Sequence, residues 1–242
     1  MPAVHAAPQA QAGDIVLRHD IQVLADFGAI RGPVTTWPLS WDAILLELEN
    51  VDANDVVLPN AVIPTFRRVL ARARTESRRG QHSFSGTLAL AENPAQIRGF
   101  QNTPREGAEI GAGYSWFSKR LSIDLNASVV DSPADGEEFR VDGSQIALDL
   151  GNWSVAASTM DRWWGPAWDG SLILSNNARP IPSIAIGRNL TTPFETKWLS
   201  WLGPWELNAI WGQLEEDRFV PNAKFFGMRI NFRPQRSLEI GI

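Results

Sequence analysis

The chain has 242 residues, no cysteine and a formal net charge of −5. The lack of cysteine excludes disulfides, cysteine-ligated zinc and thiol catalysis, and the acidic balance argues against a nucleic-acid-binding protein. A mean hydropathy of −0.16, with no apolar run long enough to span a bilayer, excludes a membrane protein built from helices. The same composition is typical of soluble β proteins and of transmembrane β-barrels, in which lipid-facing residues alternate with polar ones.

Residues 1–13 are rich in alanine and glutamine and precede the first predicted helix. The triplets Val-His-Ala at residues 4–6 and Ala-Gln-Ala at residues 10–12 resemble signal-peptidase sites, although no charged or apolar region precedes them. We interpret residues 1–13 as the remnant of a signal peptide, and a disordered N-terminal tail is the alternative interpretation.

Residues 14–79 are predicted to form a helical subdomain. Asp14 is a suitable N-cap for the first helix and Gly28 a suitable end. A second helix is predicted after Ser40, and a third over Pro64–Ser77 with its proline in the first turn. The apolar residues that recur at helical spacing, and are predicted to face the core, are Leu17, Ile21, Leu24, Phe27, Trp41, Ile44, Leu45, Leu48, Phe66, Val69, Leu70 and Ala73.

The third predicted helix carries a cluster of arginines. This cluster would suit contacts with anionic polysaccharide or lipid headgroups. A solvated helix face whose arginines pair with nearby acidic residues is the interpretation that we favour, because a charge run alone specifies little. The residues concerned are Arg67, Arg68, Arg72, Arg74, Arg78 and Arg79.

After Gly80 the period of the apolar residues changes to two, which is typical of strands with two different faces. Residues 80–242 are therefore predicted to form about nine to eleven antiparallel strands. Arg229, Asn231 and Arg233 share the polar face of one such strand, which suggests a polar lumen. The alternation is found in residues 84–90, 110–116, 121–130, 146–150, 205–211, 226–233 and 238–242.

Alternation alone does not show which face meets lipid, because a soluble sandwich has the same pattern with its apolar face inward. Trp116, Trp198, Trp201 and Trp205 lie near predicted strand ends and suggest interfacial anchors, with ordinary core aromatics as the alternative. The last predicted strand stops at Ile242, and a sheet left open would expose backbone groups to hydrocarbon. We therefore expect the chain to be a fragment of a larger barrel.

The Trp-rich segment, residues 161–180, combines indoles, guanidinium groups, carboxylates and amides. Indoles stack on sugar rings, arginines bind carboxylates bidentately, and aspartate and asparagine bind hydroxyls. These types predict a carbohydrate site, although indoles that pack a core and a structural plug inside the lumen are alternatives. The candidate residues are Asp161, Arg162, Trp163, Trp164, Trp168, Asp169, Asn176, Asn177 and Arg179.

Two blocks of sequence resemble the capsule-assembly Wzi family of Gram-negative outer-membrane proteins. The stretches Trp-Trp-Gly-Pro and Leu-Ser-Asn-Asn-Ala-Arg-Pro between Arg162 and Pro180 are similar to the family signature. Residues 17–28 and Thr-Trp-Pro-Leu at residues 36–39 are similar to its N-terminal helical segment. The resemblance implies a mainly β fold: an antiparallel up-and-down transmembrane β-barrel, partial and open in this chain, after a small periplasmic helical subdomain. It also implies a lectin that helps to hold capsular polysaccharide at the cell surface.

Two other functions, a channel and a hydrolase, are considered from the same sequence. A porin-like channel would use the polar lumen as a solute path, and a glycoside hydrolase would need paired carboxylates such as Asp161 with Asp169, or an acidic loop at residues 215–217 that begins with Glu215. The three histidines have no metal-ligand or triad spacing, and Gly-Ala-Gly at residues 111–113 suggests strand glycines against close neighbours. We expect a monomeric, non-enzymatic protein without cofactor or metal, in contact with outer-membrane lipid.

Overall fold

The computed structural model describes residues 9–52, 56–133, 135–214, 216 and 219–242. Three helices with short strands come first, and an antiparallel sheet of ten strands follows. Among these described residues, no helix is long and apolar enough to cross a membrane.

The helices begin where capping chemistry predicts. They are α1 (Ile15–Asp26), α2 (Trp41–Glu49) and α3 (Ile63–Glu76). The Asp14 carboxylate accepts a hydrogen bond of 2.9 Å from the Leu17 N–H, and the Ser40 hydroxyl accepts one of 3.3 Å from the Ala43 N–H. Caps of this kind contribute about 1 kcal/mol each. The predicted caps and the proline in the first turn of α3 are confirmed.

A compact apolar core joins the helices to the segments before and between them. Strand β1 (Gln9–Ala10) pairs with β3 (Leu39–Ser40), and Ala10 is buried in this core. Residues 9–13 therefore differ from the expected signal remnant or tail, because they pack with the helices, whereas residues 1–8 lie outside the described residues. The largest core side chains are Ile21, Leu24, Trp37, Trp41, Leu48, Val69, Phe100 and Trp163.

The ten-stranded sheet follows the chain as an up-and-down meander. Each neighbouring pair is antiparallel. In the described residues two short strands lie off the meander: β10 (Trp163–Trp164) pairs with β2 (Thr36–Trp37), and the two-residue strand Phe139–Arg140 pairs with the strand Leu121–Asp131 alone. The strands are β4 (His82–Leu90), β5 (Ala108–Phe117), β6 (Leu121–Asp131), β7 (Phe139–Arg140), β8 (Gln145–Leu150), β9 (Trp153–Ser158), β11 (Ser183–Arg188), β12 (Trp205–Gln213), β13 (Lys224–Gln235) and β14 (Leu238–Gly241). In the described part of the chain β4 and β14 are the two edges, so the sheet is open.

The two faces of the sheet are inverted relative to a water-soluble protein. On β13, Phe226 is 67% exposed while Asn231, on the opposite face, is 0% exposed. Leaving one large apolar side chain in water forfeits about 1.5–3 kcal/mol, so a whole face of them requires an apolar solvent. The exposed outer-face side chains are Phe84, Leu88, Leu90, Ile110, Leu125, Val129, Ile146, Leu148, Leu150, Trp153, Val155, Ile184, Ile186, Trp211, Phe226, Met228, Leu238 and Ile240.

This inversion decides between the two interpretations of the alternating pattern. A soluble sandwich would pack its apolar face inward, whereas here the apolar face points outward and the polar face is covered by the helices and loops. The arrangement is that of a transmembrane barrel wall. The predicted mainly β fold, with an open antiparallel sheet, is confirmed.

The two ends of the sheet differ in the length of their connections. At the short-turn end, strands are joined by turns at residues 118–120, 151–152 and 236–237, and by a longer connection at residues 189–204. At the long-loop end, β4 leads to β5 through residues 91–107, and β9 leads to β11 through residues 159–182. The indoles of Trp198 and Trp201 are exposed at the short-turn end, where β12 begins.

Gly203 fixes the connection at residues 189–204 against β13. Its φ of +72° is unfavourable for other residues, and an added Cβ would lie 2.2 Å from the Arg233 carbonyl oxygen. We expect Gly203→Ala to lower the free energy of unfolding by about 1–3 kcal/mol, measured by urea titration in lipid vesicles. Gly86→Ala is the matched control, since a Cβ there would meet nothing within 4 Å. Equal stability of the two variants would contradict the prediction.

Candidate functional site

The Trp-rich segment crosses the inner side of the sheet as a packed structure. Trp163 and Trp164 are 0% and 1% exposed, and β10 pairs them with Trp37 and Thr36 of β2. The Trp163 indole N–H donates a hydrogen bond of 2.9 Å to the Ala167 carbonyl. These two indoles therefore present no free ring face to a sugar in this structure.

Polar members of the same segment bind neighbouring backbone. Arg162 is buried and donates to the Met160 carbonyl at 3.0 Å. The Asn176 amide donates to the Phe100 carbonyl at 2.8 Å, and the Asn177 side-chain oxygen accepts from the Arg98 N–H at 2.6 Å. The two asparagines thus hold the β4–β5 loop against the Trp-rich segment.

Arg18 of α1 secures the tip of the Trp-rich segment. Its guanidinium donates to the carbonyls of Pro166 at 2.8 Å and Ala167 at 3.0 Å. The same group lies over the rings of Phe100 and Trp168, 4.3 and 4.5 Å from their centroids. Burial lowers the pKa of Arg18 to about 10, so the side chain remains cationic at neutral pH. Sequence reasoning did not identify Arg18 as a site residue.

An ionic network crosses the loops at the long-loop end. Arg140 lies 3.0 Å from both Glu106 and Asp135, and Arg179 binds Asp142 through two contacts of 3.0 Å. Arg179 also reaches Asp135 at 3.1 Å, which joins the two halves of the network. Hydrogen bonding to Asp142 raises the pKa of Arg179 above its ordinary value.

A polar cavity of about 360 Å³, here called the loop cavity, opens beside this network on the inner face of β4, β5 and β6. Arg105 pairs with Asp161 at 2.9 Å on its wall. Gly111 forms part of its floor, and a Cβ there would lie 2.9 Å from Ser128. On the same strand, a Cβ at Gly113 would lie 2.2 Å from the Ser85 hydroxyl oxygen. The prediction that these glycines face close neighbours is confirmed. Side chains that line the cavity with hydrogen-bonding groups include Asn102, Arg105, Glu109, Asn126, Arg140, Asp142 and Asp161.

The inward polar residues of β13 do not line an open path in the described part of the chain. Arg229, Asn231 and Arg233 bind the N-terminal plug segment, residues 30–37, which runs across the inner face. The Arg229 guanidinium and the Asn231 amide donate to the Thr36 hydroxyl at 3.0 and 2.8 Å. Arg233 donates to the Gly32 carbonyl at 3.1 Å. This occupation disfavours the porin-like alternative.

The structure thus separates the predicted carbohydrate residues into groups. Asp161 lines the loop cavity, and Arg179 forms an ion pair with Asp142 in the network beside it. Trp168 is half-buried under Arg18, and Asp169 is exposed on the loop surface. Of the acidic loop considered for hydrolysis, Glu215 and Asp217 lie outside the described residues. The buried members of the set are Arg162, Trp163, Trp164 and Asn176.

The remaining lining residues of the loop cavity were not identified from sequence as site residues. Arg105 and Asn102 come from the long β4–β5 connection, and Arg140 comes from β7. Asn126 and Ser128 carried a signal, because both alternate with apolar residues on the predicted strand 121–130 and are therefore expected to face the lumen. Loop residues without a periodic pattern give no such signal.

Comparison with known proteins relates this architecture to capsule assembly. The family model described as "Capsule assembly protein Wzi" matches residues 78–242. An uncharacterized 55.8 kDa protein in the cps region of Klebsiella pneumoniae is 28% identical over 228 residues, covering 93% of this chain and 44% of that protein.

A solved structure from Escherichia coli has the same fold over nearly the whole chain. It is described as Wzi, an outer-membrane protein involved in group 1 capsule assembly and a carbohydrate-binding β-barrel. The match has a TM-score of 0.79 and 27% identity, and covers 97% of this chain and 52% of that one. This chain spans about half the length of the relatives that it matches. It belongs to the Wzi family of capsule assembly proteins.

Proposed function

We propose that this chain is the polysaccharide-binding part of an outer-membrane protein that helps to attach the capsule to the cell surface. The observation that carries the proposal is the loop cavity, which combines guanidinium, carboxylate and amide groups at the long-loop end of a lipid-facing sheet. Sugar hydroxyls need donors and acceptors side by side, and such groups supply both.

The orientation in the membrane is part of the proposal. Bacterial outer-membrane barrels have short periplasmic turns and longer extracellular loops, so the long-loop end faces outside and the helical part lies in the periplasm. Glu47 of α2 supports this placement, because its carboxylate accepts from the Thr191 hydroxyl at 3.1 Å in a connection at the short-turn end. The apolar outer face makes lipid the second partner. That the protein is monomeric stays a prediction.

The arginines of the cavity would bind an acidic group on the saccharide, beside the carboxylates of Glu109, Asp142 and Asp161. Arg105 and Arg140 line the cavity, and a guanidinium binds a uronate or pyruvate carboxylate bidentately. The Nε of Arg140 is buried and has no hydrogen-bond partner in the described part of the chain. The carboxylates of Asp142 and Asp161 would accept hydrogen bonds from hydroxyls of the same sugar.

We expect Arg105→Gln to weaken binding of capsular oligosaccharide at least tenfold, because a hydrogen bond to a charged group contributes about 1.5–3 kcal/mol. Binding is measured by calorimetry on the folded chain in detergent, with heat-modifiable gel mobility as the test of folding. Arg120→Gln is the matched control, since that exposed arginine lies in a turn at the short-turn end. Affinities that are equal for Arg105→Gln, Arg120→Gln and the unaltered protein would contradict a saccharide site in the loop cavity.

A further inference from the structure

A second cavity, here called the seam cavity, lies at the short-turn end between the helical part and the edge of the sheet. Its volume is about 630 Å³. One wall is the end of α1 with Phe27 and Arg31, together with Val57. The opposite wall is Trp201 in the connection at residues 189–204 and Arg236 in the β13–β14 turn. The seam cavity lies at the other end of the sheet from the loop cavity and shares no lining residue with it.

Among the described residues, the charged side chains that line the seam cavity are all basic. Arg31, Arg233 and Arg236 line it, and its described lining residues include no carboxylate. Arg233 is already engaged, since it donates to the carbonyls of Ala25 at 2.9 Å and Arg236 at 2.8 Å. The Arg236 side chain is exposed and makes no hydrogen bond or ion pair with any other described residue. The cavity therefore presents a guanidinium that is available to an anion.

The outer rim of the seam cavity is apolar. Trp201 is 66% exposed and Val57 is 91% exposed, and Pro204 and Pro234 lie beside them. The lipid-facing side chains of the sheet begin next to this rim, at Leu238. Tryptophan is enriched at the level of lipid headgroups in membrane proteins. The cavity thus places cations beside the apolar rim at the edge of the lipid-facing sheet.

The two walls are held in place without a ligand. The Arg233 N–H donates to the Pro204 carbonyl at 2.9 Å, which fixes the rim to β13. The Arg233 guanidinium connects the end of α1 to the β13–β14 turn through its carbonyl contacts. Ligand sites are usually preformed in this way and have volumes of about 300–1,000 Å³.

We propose that the seam cavity binds the phosphate headgroup of an anionic glycerophospholipid, with its acyl chains over Trp201 and along the outer face. The phosphate contacts Arg236, since a guanidinium group binds phosphate oxygens bidentately. An inorganic anion would leave the apolar rim unused, which is why the structure favours a lipid. The bound lipid would bridge the helical part and the sheet. This proposal does not depend on polysaccharide binding.

The test uses the whole folded chain in phosphatidylcholine bicelles, to which phosphatidylglycerol is added, with bound lipid counted by native mass spectrometry. We expect the unaltered protein to retain phosphatidylglycerol at least tenfold more tightly than phosphatidylcholine. Arg236→Gln should reduce that preference to within about threefold. Arg67→Gln, an exposed arginine of α3 that does not line the cavity, should keep the full preference.

Two further measurements distinguish a bound lipid from a bound inorganic anion. Trp201→Ala should weaken retention of phosphatidylglycerol while the protein still shows the heat-modifiable mobility of a folded barrel. Inorganic phosphate at the same concentration should not displace the lipid. Displacement by phosphate, or retention that is equal in Arg236→Gln, Arg67→Gln and the unaltered protein, would overturn the proposal.

Discussion

Replacing Arg18 with alanine is expected to release the Trp-rich segment from the helical part and to lower the free energy of unfolding by about 3 kcal/mol or more. The guanidinium makes two short hydrogen bonds to carbonyls, each worth about 1.5–3 kcal/mol for a charged donor. It also lies over two aromatic rings, Phe100 and Trp168, and a desolvated cation–π contact adds about 2 kcal/mol. Urea unfolding in lipid vesicles, followed by Trp fluorescence, measures the loss.

Two variants of α1 give this prediction its controls. Arg18→Lys keeps the charge but loses the planar stacking and most of the forked donation, so its stability should fall between those of the alanine variant and the unaltered protein. Gln22→Ala removes a half-buried side chain whose hydrogen bond is to Asp26 in its own helix, and should cost a few tenths of a kcal/mol. An Arg18→Ala variant within about 0.5 kcal/mol of the Gln22→Ala variant would show that other contacts hold the segment.

The helices were predictable from sequence because their signals are local. Asp14 and Ser40 sit where a side-chain oxygen can accept from a backbone N–H three residues on, and both do so. Gly28 ends the first helix with a φ of +81°, as its position predicted. The arginines of α3 likewise followed the interpretation that we favoured, since Arg68 pairs with Asp20 and Arg72 with Asp14.

The sheet was predicted best where one face of a strand carries large apolar side chains. Strand β13 shows the predicted alternation from Phe226 to Arg233, with the arginines inward. Strands β9 and β11 were not identified, because Ala157 of β9 and Arg188 of β11 stand where their alternation would place another large apolar residue, which weakens the period. Their pairing partners, β8 and β12, supply the apolar surface that the short strands lack.

The candidate site was predicted less well, because residue type shows what a side chain can bind and not what it does bind. Trp163 and Trp164 have the chemistry of a sugar platform, yet tertiary packing against Phe100 and the β2 pairing bury them. The loop cavity depends on Arg105 and Asp161, which are 56 residues apart and meet only in the folded chain. No local pattern predicts an ion pair of that separation.

Replacing Glu239 with alanine is expected to free the N-terminal plug segment from the sheet. Its carboxylate accepts from the backbone N–H groups of Val34 at 3.0 Å and Thr35 at 3.2 Å, and from the Asn231 amide at 2.8 Å. The Asn231 amide keeps its hydrogen bond to the Thr36 hydroxyl, whereas the Val34 and Thr35 N–H groups lose their acceptor. Each buried donor left without a partner costs about 1–3 kcal/mol, so the two together should lower the stability of the segment by about 2 kcal/mol or more. Because about 1.4 kcal/mol corresponds to a factor of ten, hydrogen exchange of the Val34 and Thr35 amides should accelerate at least about tenfold.

Glu109→Ala is the matched control for this change. Glu109 also points inward, from β5, but its side chain makes no hydrogen bond with another described residue, so its loss should leave exchange in residues 30–37 unchanged. The comparison separates two roles for the polar inner face. If the face holds the plug segment, only the Glu239 variant accelerates exchange, and the acceleration stays within residues 30–37 and their contacts on β13. If the segment were held by the apolar helical core alone, both variants would exchange like the unaltered protein, and the assignment of Arg229, Asn231 and Glu239 as its anchors would be wrong.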